Sequence, residues 1–393
     1  MRKAFCSIRR KMILSFMFVL KKFVNRNVIL FESVPELSGS PWMIYKELLR
    51  RGYGEKYKLI WCVDSSFDTP RNVSCVPFFG EKKLFQLIKT LLYRISARAI
   101  VENNRSIEKR NDLTFRLHAQ HGAPLKRCFS YTYSIGKPDA ILSLSEKTVQ
   151  LEQKIFPSAK DNLVVLGYPS NDQLFEKKDL YDNGFWYSLN KNKNRYYKVV
   201  GWLPTFRQHR KTSSTDSQLV FPYGVPLLKS LEELDALNVF LKNKNILLAI
   251  QMHHAQAQNF PIRTYSNIVI IPPELKRQLN VSTANLMQSF DALITDYSGA
   301  YHEYLLLNRP IALSIDDYEE YSKNPGFSLD YFDWIKGVYL KNTSDLINFI
   351  EDVSNGVDSA KFERESSMRR FHKYVDNQST KRVVDFLVKQ AKL

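Results

Sequence analysis

Short apolar segments alternate with helical patterns through both halves of this chain, and this alternation constrains the fold more than any other feature of the sequence. In the first half the apolar segments are residues 28–31, 58–63, 99–101 and 140–143. In the second half they are residues 198–202, 246–251, 268–271, 292–295 and 311–313. Apolar runs of this kind, separated by helical patterns such as 42–51 and 82–94, are typical of parallel strands covered by helices on both faces. The alternation therefore predicts an α/β fold with two consecutive doubly wound sheets.

The length of the chain favours two domains. Its 393 residues exceed what one hydrophobic core usually organises. Residues 181–197 are polar and rich in Asn and Lys, which is typical of a crossing between halves. We predict a first Rossmann-like domain over residues 28–180 and a second over residues 198–355. A C-terminal helical segment, residues 361–393, is a candidate for returning to the first domain.

Basic residues are concentrated at the N-terminus of a chain whose formal net charge is +17. Eight Lys and Arg residues precede the first acid, Glu32, and flank the apolar run 12–20. That run is too short to span a bilayer, which takes about 20 apolar residues, and no small-residue cleavage site follows it. Its apolar side chains share one helical face: Ile13, Phe16, Leu20 and Phe23. We predict that residues 1–27 form a basic amphipathic segment on an anionic cytoplasmic membrane surface; the alternative is a helix packed against the protein body.

Other protein classes fit the composition poorly. The sequence contains no zinc-finger spacing and no RNP-like motif, and its later basic residues are interleaved with acids, so we expect no nucleic-acid partner. Four cysteines without C-x-x-C spacing indicate a reduced, cytoplasmic environment. The sequence also lacks an Asp-x-Asp pair, a P-loop and a G-x-G-x-x-G motif, so it carries none of these metal- or phosphate-binding signatures. We therefore expect no metal and no cofactor.

Residues 291–310 predict a buried strand, a tight turn and the start of a helix. Leu293 and Ile294 fit the strand, residues 295–299 the turn and residues 301–307 the helix. A phosphate at the start of such a helix gains free backbone N–H donors and a favourable dipole. Because this arrangement is common in α/β proteins, by itself it can equally be structural.

Four further motifs accompany this segment in a fixed chain order. They are His121-Gly-Ala-Pro-Leu-Lys-Arg127, Gly167-Tyr-Pro-Ser-Asn-Asp172, Leu203-Pro-Thr-Phe-Arg207 and Ile250-Gln-Met-His253-His254. With residues 295–303 they resemble the ordered motifs of the CDP-glycerol glycerophosphotransferases of teichoic acid and capsule synthesis, over about residues 28–393. The chain departs from the usual family pattern of Trp, Arg, Pro and Ser at Gln120, Ser170, His254 and Gly299. The resemblance implies a GT-B-like fold, in which two Rossmann-like domains face each other across a cleft.

Candidate residues in the first half concern the acceptor. A histidine is the usual side chain for taking a proton from an attacking hydroxyl, so His121 is a candidate general base. The alternative, a buried histidine satisfied by the backbone, is made less attractive by the family resemblance. His118 raises the idea of a metal pair, but no acidic or Cys ligand neighbours the two in sequence. Candidates for contacts to the acceptor or the cleft are Lys126, Arg127, Asn171 and Asp172.

Candidate residues in the second half concern a nucleotide donor. The motif that contains Thr205 and Arg207 follows the end of a strand, where ligands bind in open α/β sheets. There Arg207 would offer a planar fork to phosphate oxygens, and Thr205 would offer a hydroxyl. A surface arginine on a loop is the alternative. His253 also ends a strand, and it is a candidate for lying against the donor diphosphate, where it would neutralise developing charge or protonate the leaving group.

The turn of residues 296–299 and the helix after it supply the remaining donor candidates. Ser298 and Gly299 are predicted to stabilise phosphate charge. The resemblance implies that Glu303 accepts hydrogen bonds from both ribose hydroxyls, because the family carries an acidic residue there. Asp296 either contributes to the donor site or caps the turn through its side chain.

Together these features predict a peripheral membrane transferase of the cytoplasmic face. It would move glycerol phosphate from CDP-glycerol to a hydroxyl of a lipid-linked saccharide or polyol-phosphate acceptor, without a metal ion, and release CMP. A CDP-ribitol-dependent transferase and a GT-B nucleotide-sugar glycosyltransferase are alternatives among enzymes. A non-catalytic membrane-associated scaffold is an alternative of another class.

Overall fold

The computed structural model describes most of the chain. The described residues are 24–78, 84–109, 111–120, 122, 125–127, 135–176, 180, 184–191, 196–205, 225–251 and 264–393. They group into two compact units. The first takes its residues from Met1–His121, Phe129–Ser170 and Gln378–Leu393, and the second from Gly122–Cys128 and Asn171–Asn377.

The described elements alternate along the chain. The strands are β1 (Val28–Phe31), β2 (Lys58–Val63), β3 (Cys75–Pro77), β4 (Ala97–Glu102), β5 (Phe115–His118), β6 (Ala140–Ser143), β7 (Leu163–Val165), β8 (Lys198–Trp202), β9 (Ile246–Ile250), β10 (Ile268–Ile270), β11 (Ala292–Thr295), β12 (Ile311–Ser314) and β13 (Val338–Leu340). The helices are α1 (Gly39–Arg50), α2 (Tyr53–Lys56), α3 (Leu84–Ile95), α4 (Glu146–Ile155), α5 (Phe185–Ser188), α6 (Leu231–Asn243), α7 (Pro273–Gln278), α8 (Thr283–Gln288), α9 (Ala300–Leu305), α10 (Tyr318–Lys323), α11 (Tyr331–Trp334), α12 (Thr343–Ser354), α13 (Lys361–Phe371) and α14 (Ser379–Ala391). Short 3₁₀ helices cover Pro157–Asn162 and Pro169–Leu174.

The first unit contains a seven-stranded parallel sheet in the order β3-β2-β1-β4-β5-β6-β7. The chain winds outward from β1 in both directions, so the strand order reverses between β1 and β4. All four residues of β1 are buried, as expected for a central strand whose two faces are both covered.

The second unit contains a six-stranded parallel sheet in the order β10-β9-β8-β11-β12-β13. Its strand order reverses between β8 and β11. In open α/β sheets, ligands bind outside the carboxyl ends of the strands at this reversal. The predicted α/β class with two doubly wound parallel sheets is confirmed.

The C-terminal residues divide between the two units. Helix α13 belongs to the second unit, where the buried Arg364 pairs with Asp358 at 2.6 Å. Helix α14 belongs to the first unit, where the side chain of Arg98 donates to the Ala391 carbonyl at 2.7 Å. The predicted segment 361–393 is thus shared, with Gln378–Leu393 in the first unit.

Most of the predicted membrane-associating segment, residues 1–27, lies outside the described residues. Within the part of the chain that is described, no helix has both the length and the apolar character needed to cross a bilayer.

Candidate functional site

The loops that follow β8 and β11 leave the reversal point of the second sheet side by side. The backbone N–H of Leu203 donates to the Ile294 carbonyl at 2.9 Å. The hydroxyl of Thr295 donates to the Leu203 carbonyl at 2.8 Å. The first of these loops leads to Thr205 and the second to Asp296, so the two motifs predicted from sequence meet at one sheet edge.

Asp296 and Thr205 are bound to each other. Both carboxylate oxygens of Asp296 lie 2.9 Å from the backbone nitrogen of Thr205, and Oδ1 accepts from the Thr205 hydroxyl at 2.5 Å. Both residues are buried. Hydrogen bonds to an ionised carboxylate are about twice as strong as neutral ones. Asp296 therefore holds the start of the loop that continues to Arg207, and direct donation from Thr205 to a phosphate would compete with this contact.

The turn after Asp296 leads into α9, which begins at Ala300, one residue earlier than predicted. The Ser298 hydroxyl oxygen accepts from the Ala300 backbone N–H at 3.3 Å. The N–H groups of Ser298 and Gly299 donate no hydrogen bond within the described residues. No described residue therefore competes with a ligand for these two donors.

Glu303 lies on α9, and its carboxylate makes no hydrogen bond or ion pair with any described residue. Burial raises the pKa of Glu303 to about 7, and the positive charge of Lys276 opposes this rise. Removal from water without a compensating partner disfavours the ionised form. A titratable group perturbed in this way at the ligand-binding edge of a sheet is a candidate for a functional role.

Lys276, on α7, is the site residue that the sequence did not reveal. Its ammonium donates to Gln251 Oε1 and to Thr283 Oγ1, each at 2.8 Å. Burial lowers the pKa of Lys276 to about 8, while the charge of Glu303 raises it. Nothing in the sequence distinguished Lys276 from the neighbouring Arg277, since its environment is made by residues far away in the chain.

A cluster of aromatic side chains packs next to the Asp296 turn. The ring of Tyr297 stacks on Tyr321 at 4.1 Å between centroids, and its hydroxyl donates to Asp317 at 2.9 Å. The hydroxyl of Tyr331 donates to the Asp296 carbonyl at 3.4 Å. All these rings are buried, so the turn is held on a rigid base.

Lys126 and Arg127 belong to the second unit, next to this cluster. Lys126 forms an antiparallel bridge with Phe327, and the Arg127 backbone N–H donates to the Gly326 carbonyl at 3.1 Å. The Lys126 ammonium lies 5.8 Å from the centroid of the Tyr321 ring. The second half of the His-Gly-Ala-Pro-Leu-Lys-Arg motif is therefore anchored beside the donor-side turn.

Three of the predicted site residues lie outside the described residues, namely His121, Arg207 and His253. Asn171 and Asp172 are buried within the 3₁₀ helix Pro169–Leu174, and the division between the two units falls between Ser170 and Asn171. This position is that of a connection between units.

His118 is buried in the first unit against a charged pair. Its Nδ1 lies 3.8 Å from Oε1 of Glu102, which also accepts from Arg116 Nε at 2.8 Å. No group of His, Cys, Asp and Glu among the described residues could hold a metal ion.

Comparison with known proteins yields one family. A family model described as CDP-Glycerol:Poly(glycerophosphate) glycerophosphotransferase matches residues 14–389. The teichoic acid glycerol-phosphate transferase of Staphylococcus aureus (strain NCTC 8325 / PS 47) is 23% identical over 396 aligned residues, covering 94% of this chain and 95% of that protein. The teichoic acid poly(glycerol phosphate) polymerase of Bacillus subtilis (strain 168) is 24% identical over 367 residues, covering 86% of this chain but 46% of that protein. The chain thus spans about half the length of that polymerase.

Solved structures share the fold. A variant of the wall teichoic acid polymerase TagF, soaked with CDPG, has a TM-score of 0.75 at 20% identity, covering 100% of this chain and 97% of that one. The UDP-GlcNAc 2-epimerase of Neisseria meningitidis bound to UDP-GlcNAc has a TM-score of 0.52 at 13% identity, covering 92% and 99%. At these identities the likeness concerns the fold alone.

Proposed function

Because this chain belongs to the CDP-glycerol:poly(glycerophosphate) glycerophosphotransferase family of enzymes, we propose that it transfers glycerol phosphate from CDP-glycerol to a hydroxyl of a lipid-linked acceptor and releases CMP. The acceptor oxygen attacks the phosphorus that carries glycerol. The bond from that phosphorus to the bridging oxygen of CMP breaks, and CMP departs with the electron pair. The proton of the acceptor hydroxyl passes to a base on the protein.

One observation carries the donor half of this proposal. Thr205, Asp296 and Glu303, chosen from the sequence as donor residues, lie on loops and a helix at the reversal point of one sheet. There the Glu303 carboxylate and the Ser298 and Gly299 N–H groups have no partner among the described residues. An unpartnered acceptor and two unpartnered donors suit a ligand that offers hydroxyl groups and phosphate oxygens together, as a ribonucleoside diphosphate does.

Each donor-side residue then has a distinct task. Glu303 accepts hydrogen bonds from the ribose hydroxyls. The Ser298 and Gly299 N–H groups bind phosphate oxygens, and Arg207 and His253 stabilise the charge that develops on CMP as it leaves. Asp296 keeps Thr205, and with it the loop that carries Arg207, in position.

His121 is the proposed general base on the acceptor hydroxyl. Four residues further on, the chain is anchored to the second unit through Leu125 and Lys126, whose carbonyls accept from Ser328 at 3.0 and 2.7 Å. Lys126 and Arg127 supply positive charge on the acceptor side, and Asn171 and Asp172 support the connection between units.

We place the enzyme at the cytoplasmic face of the cell membrane as a peripheral protein, in the synthesis of teichoic acid or a capsular polymer. The basic residues on both sides of the apolar run 12–20 support this location, since each cation near an anionic leaflet contributes about 1 kcal/mol. The reaction as proposed uses no metal ion.

CDP-ribitol is the second candidate donor. The teichoic acid poly(ribitol-phosphate) polymerase of Bacillus spizizenii (strain ATCC 23059 / NRRL B-14472 / W23) is 29% identical to 58% of this chain, which favours this alternative over a nucleotide sugar. A donor screen separates the candidates. The full chain is incubated with lipid extract and radiolabelled CDP-glycerol, CDP-ribitol or UDP-glucose. Label should enter the lipid fraction from CDP-glycerol, with stoichiometric CMP. Incorporation from CDP-ribitol alone would reassign the donor, and no incorporation from any donor would favour a non-catalytic scaffold.

A further inference from the structure

The ammonium of Lys276 is fixed by three separate elements. Lys276 itself lies on α7, Gln251 directly follows β9, and Thr283 begins α8. Both partners are neutral acceptors at 2.8 Å. A lysine side chain has four rotatable bonds and loses conformational entropy when it is held in one position. Such convergence places one positive charge at a defined point of the sheet edge.

Hydrogen-bonding capacity is left over on both charged groups. An ammonium has three N–H donors, and two of those of Lys276 are used within the described residues. The carboxylate of Glu303 uses none of its acceptor sites there. Each residue is nevertheless the charged group that shifts the pKa of the other.

The two groups do not close onto each other, although a partly buried cation and anion gain most by direct contact. Gln251 and Thr283 hold the ammonium back. A ligand group that both accepts and donates a hydrogen bond would satisfy the unused N–H of Lys276 and the unused carboxylate of Glu303 at once. A hydroxyl does so, and a vicinal diol offers two.

We propose that Lys276 is a substrate-binding residue that selects ribonucleotides. Its third N–H donates a hydrogen bond to the oxygen of a ribose hydroxyl, and the same hydroxyl donates a hydrogen bond to the carboxylate of Glu303. This assignment rests on the proposed function, because it takes the nucleoside of the donor as the ligand of the site. The charge of Lys276 also lowers the pKa of Glu303, against the effect of burial, and so favours its ionised form. His302, next to Glu303 on α9, does not supply this positive charge, since burial lowers its pKa to about 3.

The competing interpretation is that Lys276 only joins β9, α7 and α8. The two interpretations differ in their dependence on the ligand. A structural role affects every nucleotide alike, whereas a bond to the ribose diol is lost when the diol is absent.

Isothermal titration at pH 7.5 with CMP and with 2′,3′-dideoxy-CMP makes this comparison on the full chain. Lys276→Met should weaken CMP binding at least about tenfold, in line with the loss of a charged hydrogen bond. The same variant should change dideoxy-CMP binding by less than about twofold. Lys276→Arg should recover part of the CMP affinity, because it restores the charge. Arg277→Met is the matched control on the same helix, since its side chain is 79% exposed and it should bind like the wild type.

The pH profile is a second readout. In the wild type, CMP affinity should fall on acidification through the pKa of Glu303, about 7. Without the nearby cation, the pKa of Glu303 rises further, so the fall in Lys276→Met should begin at higher pH. Thr283→Val, which removes one anchor of the ammonium but not its charge, should cause a smaller loss.

The outcomes separate this inference from the proposed function. Equal losses for CMP and dideoxy-CMP in Lys276→Met, or no loss for either, would overturn the role of Lys276. If Lys276→Met does not fold, Lys276→Arg and Thr283→Val carry the same comparison. If the wild type binds another ribonucleotide in place of CMP, with the same dependence on the diol, then CDP-glycerol is not the donor, while Lys276 keeps its role. A wild type that binds no nucleotide would overturn both.

Discussion

The carboxylate of Asp296 binds both the backbone N–H and the hydroxyl of Thr205, which joins the ends of two neighbouring strands at the reversal point of the second sheet. The two residues are 91 positions apart in the chain. The contact gives the buried Asp296 a structural partner and fixes the position of Thr205, two residues before Arg207 in the sequence.

Asp296→Asn should therefore damage both stability and catalysis. The amide removes the negative charge and places an NH2 donor, in place of Oδ2, against the backbone N–H donor of Thr205, at a cost of about 1–3 kcal/mol. We expect kcat/KM for CDP-glycerol to fall at least about tenfold as the loop shifts. Thr205→Ser retains both donors and should lose far less. Denaturant melts and initial-rate kinetics measure the two effects, and wild-type values for Asp296→Asn would show that the contact is dispensable.

Glu303→Gln should remove the pH dependence of donor binding. The pKa of Glu303 is raised to about 7 from an ordinary value near 4.5. The group is therefore mostly protonated below pH 7 and ionised above it. The ionised form can accept a hydrogen bond from both ribose hydroxyls, whereas the protonated form carries a competing O–H donor, so the donor Kd of the wild type should rise up to tenfold per pH unit on acidification below about 7. Titrations between pH 5.5 and 7, below the pKa of Lys276, should give a flat profile for the variant, and a pH-independent wild type would contradict the role of Glu303.

Glu152 makes the stability of the first unit fall as pH rises between about 4.5 and 8. Burial raises its pKa to about 8, although Ser143 and the hydroxyl of Tyr168, the latter at 3.2 Å, offer it side-chain hydrogen bonds. Because the folded-state pKa lies above the unfolded one, the stabilisation is complete below about 4.5 and is lost as pH rises through 8, at up to about 1.4 kcal/mol per pH unit. Glu152→Gln should flatten this decline in thermal melts between pH 5 and 8.5. Glu146→Gln, an exposed change on the same helix, should leave the decline in place.

Two features of the turn before Ser170 require glycine at position 167: the backbone conformation and the lack of space for a side chain. The φ of Gly167 is +78°, and a Cβ added there would lie 2.6 Å from the hydroxyl of Ser379. Gly52 has a similar φ of +80° with no atom within 4 Å of an added Cβ. Gly52→Ala therefore measures the backbone strain alone, about 1 kcal/mol. Gly167→Ala should destabilise the first unit by more than this control, and equal effects would mean that Ser379 moves aside freely.

Deleting residues 1–26 should release the protein from membranes. The charged part of the interaction should weaken with salt, because it is screened beyond roughly 8–10 Å at physiological ionic strength. In vesicle sedimentation with anionic lipid, the truncated chain should stay in the supernatant while keeping activity on a water-soluble acceptor analogue. Continued sedimentation would point to another membrane-binding surface, and unfolding would place the segment in the core.

Local patterns determined the architecture. Runs such as Val28–Phe31 and Ala292–Thr295 are apolar throughout because both faces of a central parallel strand are covered, so their burial can be predicted from neighbouring residues alone. The turn at Ser298 and Gly299 and the acid at Glu303 were likewise found from their spacing and from the family motifs that the sequence resembles. Each of these features depends on residues that lie within one turn or one strand of each other, and sequence patterns predict structure over that range.

Tertiary structure alone decided which distant groups meet. Lys276 became part of the site because the order of the strands brings Gln251 and Glu303 to the same edge, and no periodicity in the chain marks that event. Asp296 could be either a ligand or a cap in sequence, and its partner proved to be Thr205, on the neighbouring strand's loop. The shifted pKa values of Glu303 and Lys276 arise from burial and from each other's charge, and both depend on how the whole sheet packs rather than on any local run of residues.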